Sequence, residues 1–528
     1  MRNSDTRAAW TYHNATKHAL ESVRSSRHYL DWPNQPLPFK IYTTLEPIPL
    51  PREFVPSGAP ALDAIAGRVS LPADASVLDC AAIARLCYYS NGITKTLKRP
   101  GGAMPFRAAA CTGALYHVEL YVVCADLPEL DAGVYHYAAH DHSLRRLRRG
   151  DFRQVLVEAT GAEPSVAQAP AAILCTSTFW RNAWKYQARA YRHSFWDTGT
   201  ILANLFAVTN ANGIPAQLVL GFADDAVNRL VDVDPAKEAT ICFVVLGRTA
   251  AEPPPAPSVE PLSLPTQRLS PRQVDEPAIG EMHAASSLES GAEAAAWRGV
   301  GGGTGEAAKR AKEAAAPMAP GPDFIPLSSA MALPSTSIEA VIRRRGSARQ
   351  FTWDSIDVHQ LSTILDVAMQ GTPADLVVAG ARSDPYLILH AVDGLPSGVY
   401  AFDRAQCGLE PLRLGSFRDA AGYLDLGQEL AADAAVNVYS LADLHAILRR
   451  LGNRGYRAAQ LEAAIAGGKL YLAAYALGLG ATGLTFFDDD VTGFFSPHAA
   501  GKSVMFLTAI GRPTRHGQGL APVRSGDM

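Results

Sequence analysis

The apolar positions of this chain fall into two periods. LYHVELYVVCADL (115–127) is apolar almost throughout, which predicts a buried strand, and GVYHYAAHDHSLRRL (133–147) predicts two short strands around a turn. Residues 193–212 form a long apolar run of helical character, and 216–222 and 239–246 read as further strands. Upstream, 73–110 begins as a helical stretch, with apolar spacing through Val77, Ile83, Ala84 and Leu86. Residues 1–72 read as an arm that wraps the core. It holds an early helix and then DWPNQPLPFKIYTTLEPIPLP, whose prolines forbid a regular helix or a central strand. Helices and strands mix without regular βαβ alternation, so the expected class is α+β rather than a doubly wound sheet.

The pattern then repeats. Arg189, Tyr191 and Arg192 recur as Arg454, Tyr456 and Arg457. At the same offset, Asp197 falls on Glu462, Leu205 on Leu470, Gly213 on Gly478, Phe222 on Phe487 and Asp224 on Asp489. Upstream, Gly133-Val134-Tyr135 meets Gly398-Val399-Tyr400, and Tyr121 meets Tyr386. One module is written twice, at 73–249 and 336–528. Between them, 250–335 is rich in Pro, Ala and Gly and reads as a partly disordered linker with a helix at about 279–298. Two such modules are expected to bury matching faces, as a homodimer does, giving an intrachain pseudo-dimer. Fusion frees the two faces to diverge, so one of two symmetric interface sites can decay while the other stays.

Composition narrows the function classes. The chain has 528 residues, 48% of them hydrophobic, and a formal net charge of -3. That balance gives no electrostatic case for nucleic acid or a membrane surface. Seven dispersed cysteines form no CxxC or Cys/His motif, which suggests a reducing compartment. The N-terminus carries no apolar targeting core, no run approaches a membrane span, and the expected location is the cytoplasm.

The two copies differ where chemistry is expected. The second opens with IEAVIRRRGSARQF, in which Arg345 and Arg349 would share a helical face with Ser347 nearby. Arginine forks and a hydroxyl suit a phosphate, although a solvated basic face fits the spacing as well. The nearest equivalent in the first copy is Val23-Arg24-Ser25-Ser26-Arg27. The first copy has Ala110-Cys111-Thr112-Gly113 before its buried strand, small residues that let a flat ligand approach the backbone or simply make a tight turn. The second copy reads Leu376-Val377-Val378-Ala379-Gly380-Ala381 there, so the hydroxyl and the thiol are gone. Lys185-Tyr186 precedes the first Arg-x-Tyr-Arg, where the second copy has Arg450-Leu451. A Lys that loses its charge on burial can act as a base, although a Lys-Tyr pair is more often surface packing. Gly480 to Gly483 follow a helix instead of opening one, so they are no dinucleotide fingerprint.

At these residues the chain resembles the flavin-dependent nitroreductase family, in its SagB-type dehydrogenase branch, which includes thiazoline/oxazoline oxidases. The segments that carry the resemblance are LDWPNQPLPFKIY, GALYHVELYVV, KYQARAYRH and RGSARQF. It implies FMN at the module interface. Arg345, Ser347 and Arg349 would hold the phosphate, with Ala110, Cys111, Thr112 and Gly113 against the isoalloxazine. Gly480, Gly483 and Arg512 would form a later FMN segment, and Lys185 and Tyr186 would be catalytic. The chain departs from the pattern at Cys111, where Ser is usual, and at His117, where Pro is usual. The implied function is an FMN-dependent oxidoreductase with one composite site per chain. It would act on azoline rings in a modified peptide, with O₂ as the final acceptor and other peptide-modifying enzymes as partners. Two readings stand beside it: an NAD(P)H-driven nitro or quinone reductase, and a decayed, non-catalytic binding subunit.

Overall fold

A computed structural model describes residues 2–69, 78–99, 102–301, 323–328, 334–376 and 383–514. It contains two seven-stranded antiparallel sheets of identical order. The first runs Pro47–Pro49, Ser143–Arg149, Gly133–Ala138, Val118–Cys124, Ala171–Thr178, Glu238–Leu246, Ala216–Val219. The second runs Ile325–Pro326, Gly408–Leu414, Gly398–Asp403, Asp384–Leu389, Val436–Ala442, Ser503–Gly511, Gly480–Gly483. With helices packed on both, the fold is α+β in two tandem modules. One edge strand of each sheet lies upstream of its own module, in the arm or in the 250–335 segment, and the other lies within the module. Pro47 and Pro49 fit such an edge, where a missing N–H costs no ladder bond. Of the stretch from 73 that begins as helix, 73–77, with Val77, lies outside the described residues; the helix Cys80–Asn91 then gives way to a hairpin of Ile93–Arg99 and Gly102–Arg107.

The centre is a crossing of two long helices. Ala190–Ala211 and Arg454–Ala476 are buried almost throughout, as a helix that is apolar on all sides must be. Each ends just before a glycine in the left-handed region, Gly213 at φ 64° and Gly478 at φ 78°. They touch where side chains vanish. A Cβ on Gly199 would lie 2.4 Å from the Ala464 Cβ, and one on Gly468 would lie 2.6 Å from the Ala203 Cβ. Each pair joins positions 265 apart, equivalent in the two copies, as contacts on a two-fold axis do. Gly199→Leu is expected to lower the unfolding free energy by about 1–3 kcal/mol, although leucine is the better helix former. Gly280→Ala, in a helix where the added Cβ meets nothing within 4 Å, should be neutral or stabilising. Urea midpoints of the two variants check the pair.

The repeated Arg-x-Tyr-Arg locks this crossing. Arg189 and Arg192 reach across to Asp488 at 3.0 and 2.5 Å, while Arg454 and Arg457 reach back to Asp224 at 2.6 and 2.7 Å. The structural counterpart of Asp224 is therefore Asp488, not Asp489. Phe222 likewise corresponds to Phe486, since these two rings lie under Arg454 and Arg189. The repeat slips by one residue between the long helix and the following strand: Ala216 pairs with Leu246, and Gly480 with Gly511.

The duplication also extends upstream of 336. Arg192 donates to the His13 carbonyl and the Thr16 hydroxyl, and Arg457 donates to the His283 carbonyl and the Ser286 hydroxyl. The helix Pro277–Ala285 thus plays for the second module the part that Arg7–Ala15 plays for the first. The single helix expected at about 279–298 is two, Pro277–Ala285 and Gly291–Gly301, broken at Ser286. Both seat apolar side chains in the core, Met282 and Trp297 among them.

Candidate active site between the modules

Three segments meet on one side of the helix crossing. The first is the end of the helix Phe179–Tyr186, where the chain breaks at Gln187, φ 47°. The arm braces this helix, because the Trp184 indole N–H donates to the Asp31 carbonyl at 3.1 Å. Lys185 extends from the break with an exposed side chain, its ammonium 5.3 Å from the Tyr186 ring centroid. Displaced water at its base lowers the Lys185 pKa, and the Arg349 charge lowers it further. Tyr186 is pushed the other way by burial, then by Asp197 and Cys111, so it stays a neutral phenol.

The second segment is the loop 110–113. Its anchor is Asp197, on the first long helix. One carboxylate oxygen accepts the Thr112 N–H at 2.9 Å and the Thr112 hydroxyl at 2.7 Å. The other accepts the Cys111 thiol at 3.0 Å and contacts His117 Nε2 at 2.7 Å. Thr200 Oγ1 holds the Ala110 carbonyl at 2.7 Å. Gly113 is required twice over. Its φ is 63°, and a Cβ there would sit 2.9 Å from the Tyr186 hydroxyl. The phenol of Tyr186 therefore lies directly on this loop.

The third segment is RGSxR. The helix Ile338–Arg344 stops at Arg345, so Arg345 and Arg349 do not share the helical face that their spacing suggested. The helix also offers its carbonyl end, which repels an anion, and side chains rather than the macrodipole must hold a phosphate here. Arg345 bridges the modules: Nε donates to the Ala108 carbonyl at 2.9 Å and Nη2 to the Arg107 carbonyl at 3.2 Å. Its remaining contact is its own neighbour, the Gly346 carbonyl at 3.0 Å. Ser347 is half-buried and Arg349 exposed, and neither has a hydrogen bond or ion pair among the described residues. Gly480–Gly483, expected as a turn, is the edge strand of the second sheet; it joins through the Ala481 carbonyl, which accepts the Ala348 N–H at 2.9 Å, and the Gly483 N–H donates to the Tyr471 hydroxyl. Arg512 is turned elsewhere. It is exposed and donates to the Ser355 carbonyl at 2.8 Å, tethering the chain that follows RGSxR.

The structure thus gathers Lys185, Tyr186, Ala110 to Gly113, Ser347, Arg349 and the backbone around Gly480 to Gly483, with Arg345 as the strut between modules. Arg24 and Arg27 lie exposed on the arm, away from any such position. Their place is taken by Arg68, which stands as far beyond Ala61 as Arg345 stands beyond Ile338. The helices that start at those two residues are joined by a bridge between Pro60 and Ser337. Arg68 pairs with Asp366 at 2.8 Å instead of facing a cleft. Of the second copy's loop, 377–381 lies outside the described residues. Its acid, Glu462, accepts from the Ser383 N–H at 3.0 Å and hydroxyl at 2.9 Å.

One cavity adjoins this arrangement and a second lies at its counterpart in the second copy. The first, of about 470 Å³, lies between the arm at Pro36 and Pro38, the strand at Met104 and Pro105, and the loop at Leu115 and Tyr116. The other, about 230 Å³, sits at the mirrored position beside Glu462, Arg404 and Lys469. Sequence reasoning missed Asp197 and His117 as the loop's anchors. The signal for Asp197 was its match to Glu462 across the repeat.

The nitroreductase family model matches residues 75–248 and 342–498, more than half of the chain. This chain belongs to the nitroreductase family. A crystal structure of an Anabaena variabilis protein that carries a nitroreductase name is similar end to end, at 27% identity and a TM-score of 0.75, covering 96% of this chain and 99% of that one. A Methanocaldococcus jannaschii protein with a nitroreductase name is 24% identical over 27% of this chain and 71% of its own length. The trifolitoxin-processing protein TfxB of Rhizobium leguminosarum bv. trifolii is 27% identical over 31% of this chain, which spans just under half, 46%, of TfxB. The nitroreductase resemblance read from RGSARQF and KYQARAYRH is thereby borne out. No described helix is long and apolar enough to cross a membrane.

Proposed function

We propose that this nitroreductase-family protein is an FMN-dependent dehydrogenase of SagB type, with one composite flavin site per chain. The observation that carries the reading is the Arg345 bridge to the Arg107 and Ala108 carbonyls, which places the unpartnered Ser347 and Arg349 of one module beside the loop and the Lys-Tyr of the other. The donor set fits the group. Arg349 and Ser347 suit a phosphate, and the exposed backbone at Gly113, on the side away from the Tyr186 phenol, suits a flat ring. When bound, FMN would supply the hydride acceptor.

The chain's own residues handle the proton. Lys185, with its ammonium destabilised by partial loss of hydration and by Arg349, takes the Cα proton of the azoline ring itself as the general base, so that departure of a hydride from the adjacent ring carbon aromatises the ring. Tyr186 remains protonated and donates a hydrogen bond that orients the substrate. The cavity bounded by the arm and Tyr116 adjoins this loop and is of a size to take a short stretch of substrate. Similarity to a trifolitoxin-processing protein supports a modified peptide as the substrate class, with other peptide-modifying enzymes as partners.

Flavin stoichiometry tests the composite site. Purified protein saturated with FMN is expected to hold one flavin per chain by absorbance after denaturation. Two per chain, or a colourless protein that takes up none, would overturn it.

A further inference from the structure

Cys111, His117 and Asp197 place a sulfur, an imidazole nitrogen and a carboxylate oxygen within 4.8 Å of one another. The Asp197 oxygen lies 3.0 Å from the Cys111 sulfur and 2.7 Å from His117 Nε2. Each contact is a proton shared between two lone pairs, and one cation can replace both. We infer that Cys111 Sγ, His117 Nε2 and Asp197 Oδ2 form a binding site for one divalent ion of zinc type. The mixed sulfur, nitrogen and oxygen set selects such an ion over magnesium or calcium, which require oxygen ligands throughout.

The surroundings are those of a supported ligand set. His117 Nδ1 lies 2.8 Å from Ser177 Oγ, which lies 2.9 Å from Ser194 Oγ, which in turn donates to the Ala190 carbonyl. When Nε2 gives its lone pair to the metal, its proton moves to Nδ1 and is accepted by Ser177, whose own hydrogen turns to Ser194. The hydroxyl chain absorbs the tautomer change. The thiol proton is released to solvent. The resulting thiolate and carboxylate neutralise the ion, and the Tyr116 N–H, 3.1 Å from the sulfur, supports the thiolate. Asp197 keeps its other oxygen on Thr112, so the loop stays tethered. The ligand separations must open to about 3.3–3.8 Å for tetrahedral zinc. The half-exposed positions 111 and 112, beside exposed Gly113, allow that movement and give the ion an entry path, with the fourth position left for a solvent water. The second copy lacks the set: in sequence Cys111 and His117 fall on Leu376 and Arg382, and Glu462 meets Ser383 instead.

The test is a zinc titration of the full-length protein, washed with chelator, against a chromophoric zinc indicator. One ion per chain with submicromolar affinity is expected, weakened at least about 100-fold by Cys111→Ser and by Asp197→Asn. Zinc-edge X-ray absorption of the wild type should show one sulfur at about 2.3 Å, an answer that depends on no variant's folding. Absence of stoichiometric binding, binding indifferent to Cys111→Ser, or a sulfur-free zinc shell would each overturn the site. None of these readings uses the flavin, so a colourless protein that binds zinc sinks the FMN proposal and leaves this one standing.

Discussion

Asp488→Asn is expected to lower the unfolding free energy by about 3–5 kcal/mol, and Asp224→Asn by a similar amount. Each substitution leaves two buried guanidinium groups facing a neutral amide: Arg189 and Arg192 in the first case, Arg454 and Arg457 in the second. All four arginines are buried, so solvent cannot compensate the lost charge. Both carboxylates also hold the neighbouring strut, Asp488 through the His18 N–H and Asp224 through the Leu288 N–H, each at 2.8–2.9 Å. Burial pushes the Asp224 carboxyl up, but Arg454 and Arg457 outweigh it and leave its pKa at about 2. The Asp488 pKa is lowered in the same manner by Arg189 and Arg192. A depressed folded-state pKa means stability that is fully present above the unfolded value of about 4 and lost as pH falls through about 2. Urea unfolding of the wild type from pH 5 to 2 should show this loss, and each Asn variant should show less of it. An Asn variant as stable as the wild type at pH 7 would refute the clamp.

Lys185→Ala is expected to lower kcat for azoline oxidation by about 10²–10⁴-fold while flavin content and unfolding midpoint stay within error. The side chain is exposed and its nearest ring contact is a cation over Tyr186, so its removal leaves no cavity. Partial loss of hydration and the Arg349 charge lower its pKa, which raises the neutral fraction of the base toward neutral pH. The wild-type rate should therefore climb with pH through the Lys185 ionisation, and the variant should lose that limb. Activity that survives the substitution, with nitro or quinone substrates reduced at the wild-type rate, would favour the reductase reading instead.

Several features were legible because local pattern dictates them. The buried strand 118–124 and the hairpin 133–149 follow from apolar runs and turn residues, and the long helix follows from its apolar length. The repeat itself was legible because Arg-x-Tyr-Arg needs the same residues to clamp either side of one crossing. Its one-residue slip was not. Phe486-Phe487 and Asp488-Asp489-Asp490 offer the same residue types at adjacent positions, and only strand register and the reach of Arg189 decide between them. The counterpart of the N-terminal helix within 250–335 escaped for a related reason. What the arginines require there is a carbonyl and a hydroxyl three residues on, from His13 and Thr16 or from His283 and Ser286, and HNAT against HAAS is a short match that stands 270 rather than 265 residues apart. RGSxR was recognised, but its Arg345 was assigned to a ligand; the helix ends at that residue and turns the guanidinium onto the other module's backbone.

The sequence by itself determined a module written twice, its strands and its central helix, because periodicity and glycine placement act within a few residues of chain. Only the tertiary structure decided that Asp197 gathers Cys111, Thr112 and His117, that Tyr186 lies on Gly113, and that Arg345 ties the halves together. Those contacts join residues distant in the chain. The first two are made within the first module; the Arg345 tie crosses between modules, where Gly199 and Gly468 let the two long helices approach closely.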